Sequence, residues 1–332
     1  MSLTASPGLP PMLFALGASE SFGKQVAHRL GLELSAHEER DFVDGEHKVR
    51  PLIEVGNRDI YVIHSLAGDA EQSPNDKLIR LLFFIGALKQ SGAARVTAVT
   101  PYLPYARKDR RTKPRDPVNM RYLATLFEAM GTDCLVTLDI HNLAAFENAF
   151  GSCRAENLPA AAVLAEYVQP MLGDDPVVVV SPDSGGAKRA NLFRTVLEQR
   201  LGRPVSNALL DKHRSSGVVS GSLFAGVVEG CVAIIVDDLI ASGETIARAA
   251  TACRERGAVK TIAAAAHGLF SDGAPALFGE SGPDVVLVCD GVNVPEVADP
   301  ARLRIVPASP LFAAAISRLH SGEPFYELLP YD

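Results

Sequence analysis

A chain of 332 residues, 47% of them hydrophobic, has the length for two domains of ordinary size, each with a core of its own. Its 39 acidic residues against 32 basic ones leave a net charge of −7, which argues against nucleic acid or an anionic membrane as the main partner, although local basic clusters still suit small anions. The five cysteines are odd in number, show no CxxC spacing and sit mostly among apolar residues, so buried reduced thiols in a cytoplasmic protein are expected rather than disulfides or a zinc site.

Met1 to Pro7 lack a basic segment before an apolar run, and no window is long and apolar enough to span a bilayer. From Asn75 the spacing of Leu78, Leu81, Leu82, Ile85 and Leu88 predicts a helix that stops near Gly92. A short apolar strand at Val96 to Val99 follows, and then Pro101 and a cation-dense stretch from Tyr105 through Arg107, Lys108, Arg110 and Arg111 to Lys113 and Arg115. A solvated basic loop is the plain reading; a clamp for a polyphosphate is the sharper one, because guanidinium groups make paired bonds to phosphate and stay charged. The next helix carries Met120, Leu123, Phe127 and Met130 and ends at Gly131, before a strand at Cys134 to Leu138 and then Asp139-Ile140-His141.

The same unit recurs after Asn157-Leu158-Pro159: Val177 to Val180 precedes Ser181-Pro182-Asp183-Ser184-Gly185-Gly186, and further strands are expected at Ile262 to Ala266 and Val285 to Val288. Alternation of this kind implies parallel sheets covered by helices, with ligands at the carboxyl ends of the strands. Alone, His141 reads as a satisfied core histidine. Together with Asp183 in the other half it reads as one side of a magnesium site, since Mg²⁺ binds through one or two protein ligands and keeps phosphate oxygens and waters. Lys212-His213-Arg214 is a short cationic cluster suited to closing over a reacting phosphate.

The richest stretch is Val232 to Thr245. An apolar run, Val232 to Val236, predicts a buried parallel strand, and Gly243-Glu244-Thr245 opens a helix patterned on Ile246, Ala249, Ala250 and Cys253 and stopped at Gly257. Free amides and the positive dipole end favour a phosphate there, with Ser242 and Thr245 as hydroxyl donors. Asp237 and Asp238 repel phosphate and so need a different partner a few ångströms away; the paired hydroxyls of a sugar fit. A helix cap explains one acid, but not both plus the turn. The combined reading is a ribose 5-phosphate site.

These segments carry a resemblance to ribose-phosphate diphosphokinases, or phosphoribosyl pyrophosphate synthetases, that runs from about Leu13 to Leu329. The matching segments, in family order, are Phe42-Val43-Asp44-Gly45-Glu46, Pro104-Tyr105-Ala106-Arg107, Asp139-Ile140-His141, Ser181 to Gly186, Asp211-Lys212-His213-Arg214 and Asp237 to Thr245. The resemblance implies an α/β fold of two similar phosphoribosyltransferase-type domains, each a mainly parallel sheet flanked by helices, at residues 1–157 and 158–312, with a tail at 313–332 packing back on the first. It implies transfer of the diphosphoryl group of ATP to the anomeric hydroxyl of ribose 5-phosphate. Carried over by position, Phe42, Asp44 and Glu46 would hold adenine, usually across a subunit boundary, with Arg107 and Lys108 on the triphosphate. His141 and Asp183 would bind Mg²⁺, and Asp237 and Asp238 the ribose hydroxyls. Ala241, Ser242, Gly243, Glu244 and Thr245 would hold the 5-phosphate, and Lys212 and Arg214 would be the catalytic pair on a mobile loop. A homo-oligomer is expected, dimer-based or hexameric.

Departures from the family pattern bear on regulation and nucleotide contacts. Lys108 stands where glutamine is frequent, Thr112 where a carboxylate is common, and Ala241 where an acid often begins the phosphate loop. Gly56 replaces an arginine of the phosphate-activated members, and a serine-containing segment near their C-terminus reads Pro324-Phe325-Tyr326. Control by inorganic phosphate and ADP is therefore not expected. A base phosphoribosyltransferase shares the two acids and the phosphate loop but usually needs only one such domain. A non-catalytic regulatory relative is opposed by Lys212, Arg214, His141 and Asp183.

Overall fold

The computed structural model describes residues 8–215, 218–295, 297 and 299–329, with backbone alone at 211–215 and 218–223. The described chain falls into two compact units. One takes the segment up to Leu158 together with 291–293 and Ser309–Leu329; the other takes Pro159–Asp290 and 294–308.

The first unit runs β1 (Met12–Ala15), α1 (Glu20–Leu30), β2 (His37–Asp41), β3 (His47–Pro51), β4 (Asp59–Ile63), α2 (Pro74–Gln90), β5 (Arg95–Thr100), α3 (Asn119–Ala129), β6 (Cys134–Leu138), α4 (Leu143–Glu147) and β7 (Arg154–Leu158). Strands β1, β4, β5, β6 and β7 lie in that order, and every neighbouring pair is parallel. Strands β1, β4 and β6 are buried along their whole length, as continuous apolar runs require when helices cover both faces. Helix α2 starts where its sequence says it must: Ser73 and Asp76 form a reciprocal capping box and Pro74 occupies the first turn. The periodicity gave no sign of β2 and β3, which pair antiparallel as a separate two-stranded hairpin. Its polar strands are anchored by one buried cation, since Arg80 of α2 bonds both Glu39 and Asp41. Glu39 also accepts from the Gly17 amide at 2.8 Å and from His37 at 3.0 Å. Burial opposes its charge, but these partners outweigh that cost and hold its carboxyl down at about 2.

The second unit runs α5 (Ala161–Val168), β8 (Val177–Ser181), α6 (Ala187–Leu201), β9 (Ser206–Ser215), β10 (Val218–Ala225), β11 (Val232–Ile240), α7 (Glu244–Glu255), β12 (Lys260–Gly268), α8 (Pro275–Phe278), β13 (Val285–Cys289) and β14 (Leu303–Val306). Its sheet has the order β10-β9-β8-β11-β12-β13-β14, parallel except for the edge pair β9 and β10. Strand β11 is longer than its apolar run predicts. It continues through both acids to Ile240, because β12 keeps pairing with it as far as Gly268. The last helix, α9 (Ser309–Ser321), belongs to the first unit. Phe312 meets Phe22 of α1 edge to face, and His320 bonds the buried Asp59, which also takes two bonds from Arg95. All five cysteines are free thiols, four buried and Cys231 partly so.

Candidate active site

Polar residues gather at the carboxyl ends of the strands in both units. In the second unit β8 pairs with β11 only as far as Val180 with Ile235, whereas β12 accompanies β11 to its end. Asp237 and Asp238 therefore stand on a strand with a sheet neighbour on one side only. Successive strand residues alternate faces, and Asp238 turns towards α6, where Arg189 Nη1 lies 3.4 Å from its Oδ1. The Asp238 amide donates to Asp237 Oδ1 at 2.9 Å. Burial and then the neighbouring Asp238 charge push the Asp237 carboxyl well above the usual aspartate range, with Arg189 pulling the other way.

That shift predicts a pH effect on stability. A carboxyl whose folded pKa is raised holds its proton longer in the folded chain, so its contribution is intact at low pH and is lost as pH rises through the folded value. Asp237→Asn removes the titration. Relative to the parent, the variant should gain thermal stability at about pH 9 and little at about pH 5, each kcal/mol appearing as roughly 2–4 °C. Scanning calorimetry at the two pH values checks it, and equal differences would remove the argument.

After Ile240 the chain turns through Ala241 and Ser242 into α7. The first helical bond is Ala247 N to Gly243 O, so the amides of Glu244, Thr245 and Ile246 have no acceptor within the helix. Gly243 has φ of 78°, and a Cβ there would sit 2.7 Å from Leu277 Cβ, so glycine is needed on both counts. The turn is fixed from behind: the Leu269 and Phe270 amides donate to Ile240 O, and the Ser271 amide to Ala241 O. Phe270, Asp272 and Ala274 all hold positive φ, which places backbone strain directly against the loop. An anion is the guest this geometry suits.

In the turn between β8 and α6, Asp183 is exposed while its Oδ1 accepts from the Gly186 amide at 3.0 Å and its carbonyl accepts from Ser181 Oγ at 2.7 Å. Lys212 and Arg214 lie on β9, opposite Ser222 and Val219 of β10. Their side chains lie outside the described residues.

In the first unit His141 is exposed just past β6, not in the core as it reads when taken alone. It follows Asp139, whose φ is 45° and whose amide donates to Leu158 O at 2.8 Å, and Ile140, whose amide donates to Asn157 Oδ1 at 2.7 Å. Asn142 caps α4 through its Oδ1 and donates through Nδ2 to Asp109 at 2.5 Å, tying the His141 turn to the basic loop. Arg107 is exposed on that loop. Lys108 is differently engaged: its ammonium bonds Asp116 at 2.6 Å and Thr112 at 3.3 Å. Asp116 also accepts from the amides and hydroxyl of Thr112 and Lys113, and the Lys108 ammonium leads in holding its carboxyl far below the usual range. Phe42, Asp44 and Glu46 form the tip of the β2–β3 hairpin, closed by Phe42 N to Glu46 O at 2.8 Å. Phe42 is 41% exposed and Val43 fully so, an apolar tip projecting from its own unit.

Among the described residues no cluster of three or more His, Cys, Asp or Glu is arranged as a metal cage. An imidazole such as that of His141 and a carboxylate such as that of Asp183 are each, by chemistry, donors a magnesium ion accepts alongside phosphate oxygens and water. Sequence reasoning missed Arg189, Asp116 and the Asp109–Asn142 bond. Arg189 left one local trace: Lys188 and Arg189 sit in the first turn of α6, where the helix dipole disfavours cations.

A tight turn at a helix N-terminus, two acids on the strand before it and an α/β sheet on either side of the chain's midpoint are features of phosphoribosyl-handling transferases. Family models agree with that class. The N-terminal domain of ribose phosphate pyrophosphokinase matches 11–131, and the phosphoribosyl synthetase-associated domain matches 220–329. The ribose-phosphate pyrophosphokinase of Caldanaerobacter subterraneus subsp. tengcongensis is 36% identical over 312 residues, 93% of this chain and 95% of that protein. That of Fusobacterium nucleatum subsp. nucleatum is 31% identical over 318 residues, 95% and 97% of the two. The crystal structure of phosphoribosylpyrophosphate synthetase from Mycobacterium smegmatis superposes with a TM-score of 0.85 at 33% identity, covering 95% of this chain and all of that one. The chain belongs to the ribose-phosphate pyrophosphokinase family.

Proposed function

We propose that this enzyme transfers the diphosphoryl group of ATP to the anomeric hydroxyl of ribose 5-phosphate, releasing AMP and phosphoribosyl pyrophosphate for nucleotide biosynthesis. The observation that carries this reading is the pairing, at the end of β11, of two acids with a helix N-terminus whose amides are open. The acids accept hydroxyl protons of the ribose, and the amides of Glu244 and Thr245 with the hydroxyls of Ser242 and Thr245 take the 5-phosphate. Attack by the sugar oxygen on the β-phosphorus spreads negative charge over the transferred group and the departing AMP. Placed cations meet that need and a covalent nucleophile does not. Lys212 and Arg214 supply two of them. Arg107 holds the triphosphate, with Lys108 joining only by giving up its bond to Asp116. Adenine is met by Phe42, Asp44 and Glu46 at a hairpin tip exposed in the way a contribution to a second subunit's site requires. His141 and Asp183 would hold Mg²⁺, which when bound neutralises phosphate charge and orients the polyphosphate. Among the described residues no helix is long and apolar enough to cross a membrane, and we read the enzyme as a cytoplasmic homo-oligomer. Coupled AMP and ADP assays test the reaction: AMP should form from ATP only with both ribose 5-phosphate and Mg²⁺ present, and ADP formation would reject the reading.

Effector control follows from what surrounds Gly56. A Cβ at Gly56 would meet nothing within 4 Å, so the position is open space that itself offers an anion no side-chain group. Three nearby cations are engaged elsewhere: Lys48 and Arg50 pair with Glu38, and Arg58 donates to Pro10 O at 2.8 Å. The loss of one charge-assisted contact costs about 1.5–3 kcal/mol, a tenfold or greater fall in anion affinity. Full activity is therefore expected in a phosphate-free buffer, with weak ADP inhibition once ATP saturates. A steep activation curve with added phosphate would contradict this.

A further inference from the structure

We propose that Arg189 is a positioning residue for the ribose site, holding the Asp238 carboxylate in place through the contact between them. The proposal rests on the reading of Asp237 and Asp238 as the ribose-hydroxyl acceptors. Arg189 Nη1 stands 3.4 Å from Asp238 Oδ1, with side-chain exposures of only 13% and 10%. Charges so shielded persist only when each answers another, and two consecutive acids on one strand need a counter-charge if both are to accept from a diol. The guanidinium meets that need at a cost to its own helix. It sits in the first turn of α6, where the macrodipole opposes a cation and where no acidic side chain is present to offset it. Helix α6 packs on β8 and β11 and begins one residue after Gly186, whose amide bonds Asp183. The register that sets the Asp183 turn thus also sets the height of Arg189 against Asp238. Arg189 touches no substrate in this scheme; it acts through the acid beside it.

The test is steady-state kinetics on the full-length enzyme, with thermal unfolding measured in parallel, for Arg189→Gln, Arg189→Lys, Asp238→Asn and the Arg189→Gln/Asp238→Asn double variant. Arg189→Gln should raise KM for ribose 5-phosphate about tenfold or more while kcat and KM for ATP stay within about threefold. Arg189→Lys keeps the charge but loses the planar fork, and should fall between, at about threefold. It carries the test by itself should the glutamine variant not fold, and an unchanged KM in it then overturns the proposal. In the double variant the effects should be far from additive, since both changes break one contact. An unchanged ribose 5-phosphate KM in Asp238→Asn would sink the ribose reading itself. A raised KM in Asp238→Asn with an unchanged KM in a folded Arg189→Gln, or with additive effects, would leave that reading standing and reject the role of Arg189.

Discussion

Lys212→Ala and Arg214→Ala should each lower kcat by roughly a hundredfold or more with a modest change in KM for ribose 5-phosphate. The reason lies in when charge appears. In the proposed scheme ribose 5-phosphate is held through its phosphate and ring hydroxyls by the β11–α7 region, and the charge on that phosphate does not change during the reaction. As the bond between the β-phosphorus and the bridging oxygen breaks, its electron pair leaves on that oxygen with AMP, and charge shifts across the transferred diphosphoryl group. Cations that meet it there stabilise the transition state and not the bound substrate. The backbone of β9 and β10 suits such a role: they are the antiparallel edge pair of the sheet, with a register shift between Val219 and Ser222 opposite the two cations. Bulges near sheet edges re-aim side chains. Single-turnover measurements with radiolabelled ATP separate chemistry from binding, and unchanged turnover in either variant would reject the assignment.

Gly243→Ala should damage both the fold of the loop before α7 and the binding of ribose 5-phosphate. The positive φ at this position costs an L-residue about 1 kcal/mol, and the added Cβ would also meet Leu277 Cβ at 2.7 Å, so the loop or α8 must move. Movement there misplaces the amides of Glu244 and Thr245. Affinity for ribose 5-phosphate should fall tenfold or more, with stability lowered by about 1–3 kcal/mol. Gly31→Ala is the control. Gly31 closes α1 with φ of 66° and open space where its Cβ would go, so the substitution should cost about 1 kcal/mol and leave both KM values alone. Equal kinetic effects in the two variants would mean that the loop glycine matters only for folding.

The parts of this fold that were legible in the sequence are those whose cause is local. Apolar runs of four or five residues gave β5, β6, β8 and β13, and the spacing of Leu78, Leu81, Leu82 and Ile85 gave α2. Turn chemistry gave α7 and its loop. Opaque features depend on partners far along the chain. The β2–β3 hairpin has polar strands and no apolar alternation, and it is anchored by Arg80, about forty residues away. Helix α9 bonds the first unit through His320 and Asp59, 261 residues apart; no local pattern announces this, and only the family resemblance led to an expected tail at 313–332 against the first domain. Asp237 and Asp238 read as a pair because they are adjacent; what adjacency cannot show is Arg189, on another element, lying 3.4 Å from Asp238. Lys108 reads as a nucleotide contact from its neighbours, whereas Asp116 captures it within the same loop.

Phosphorus NMR of the product formed from ATP, ribose 5-phosphate and Mg²⁺ tests the central claim most directly. The account requires a pair of coupled diphosphate resonances on the sugar, one bonded through the anomeric oxygen, together with an intact 5-phosphate and AMP in equal amount. ADP, free phosphate, or a sugar carrying a single new phosphoryl group would contradict it.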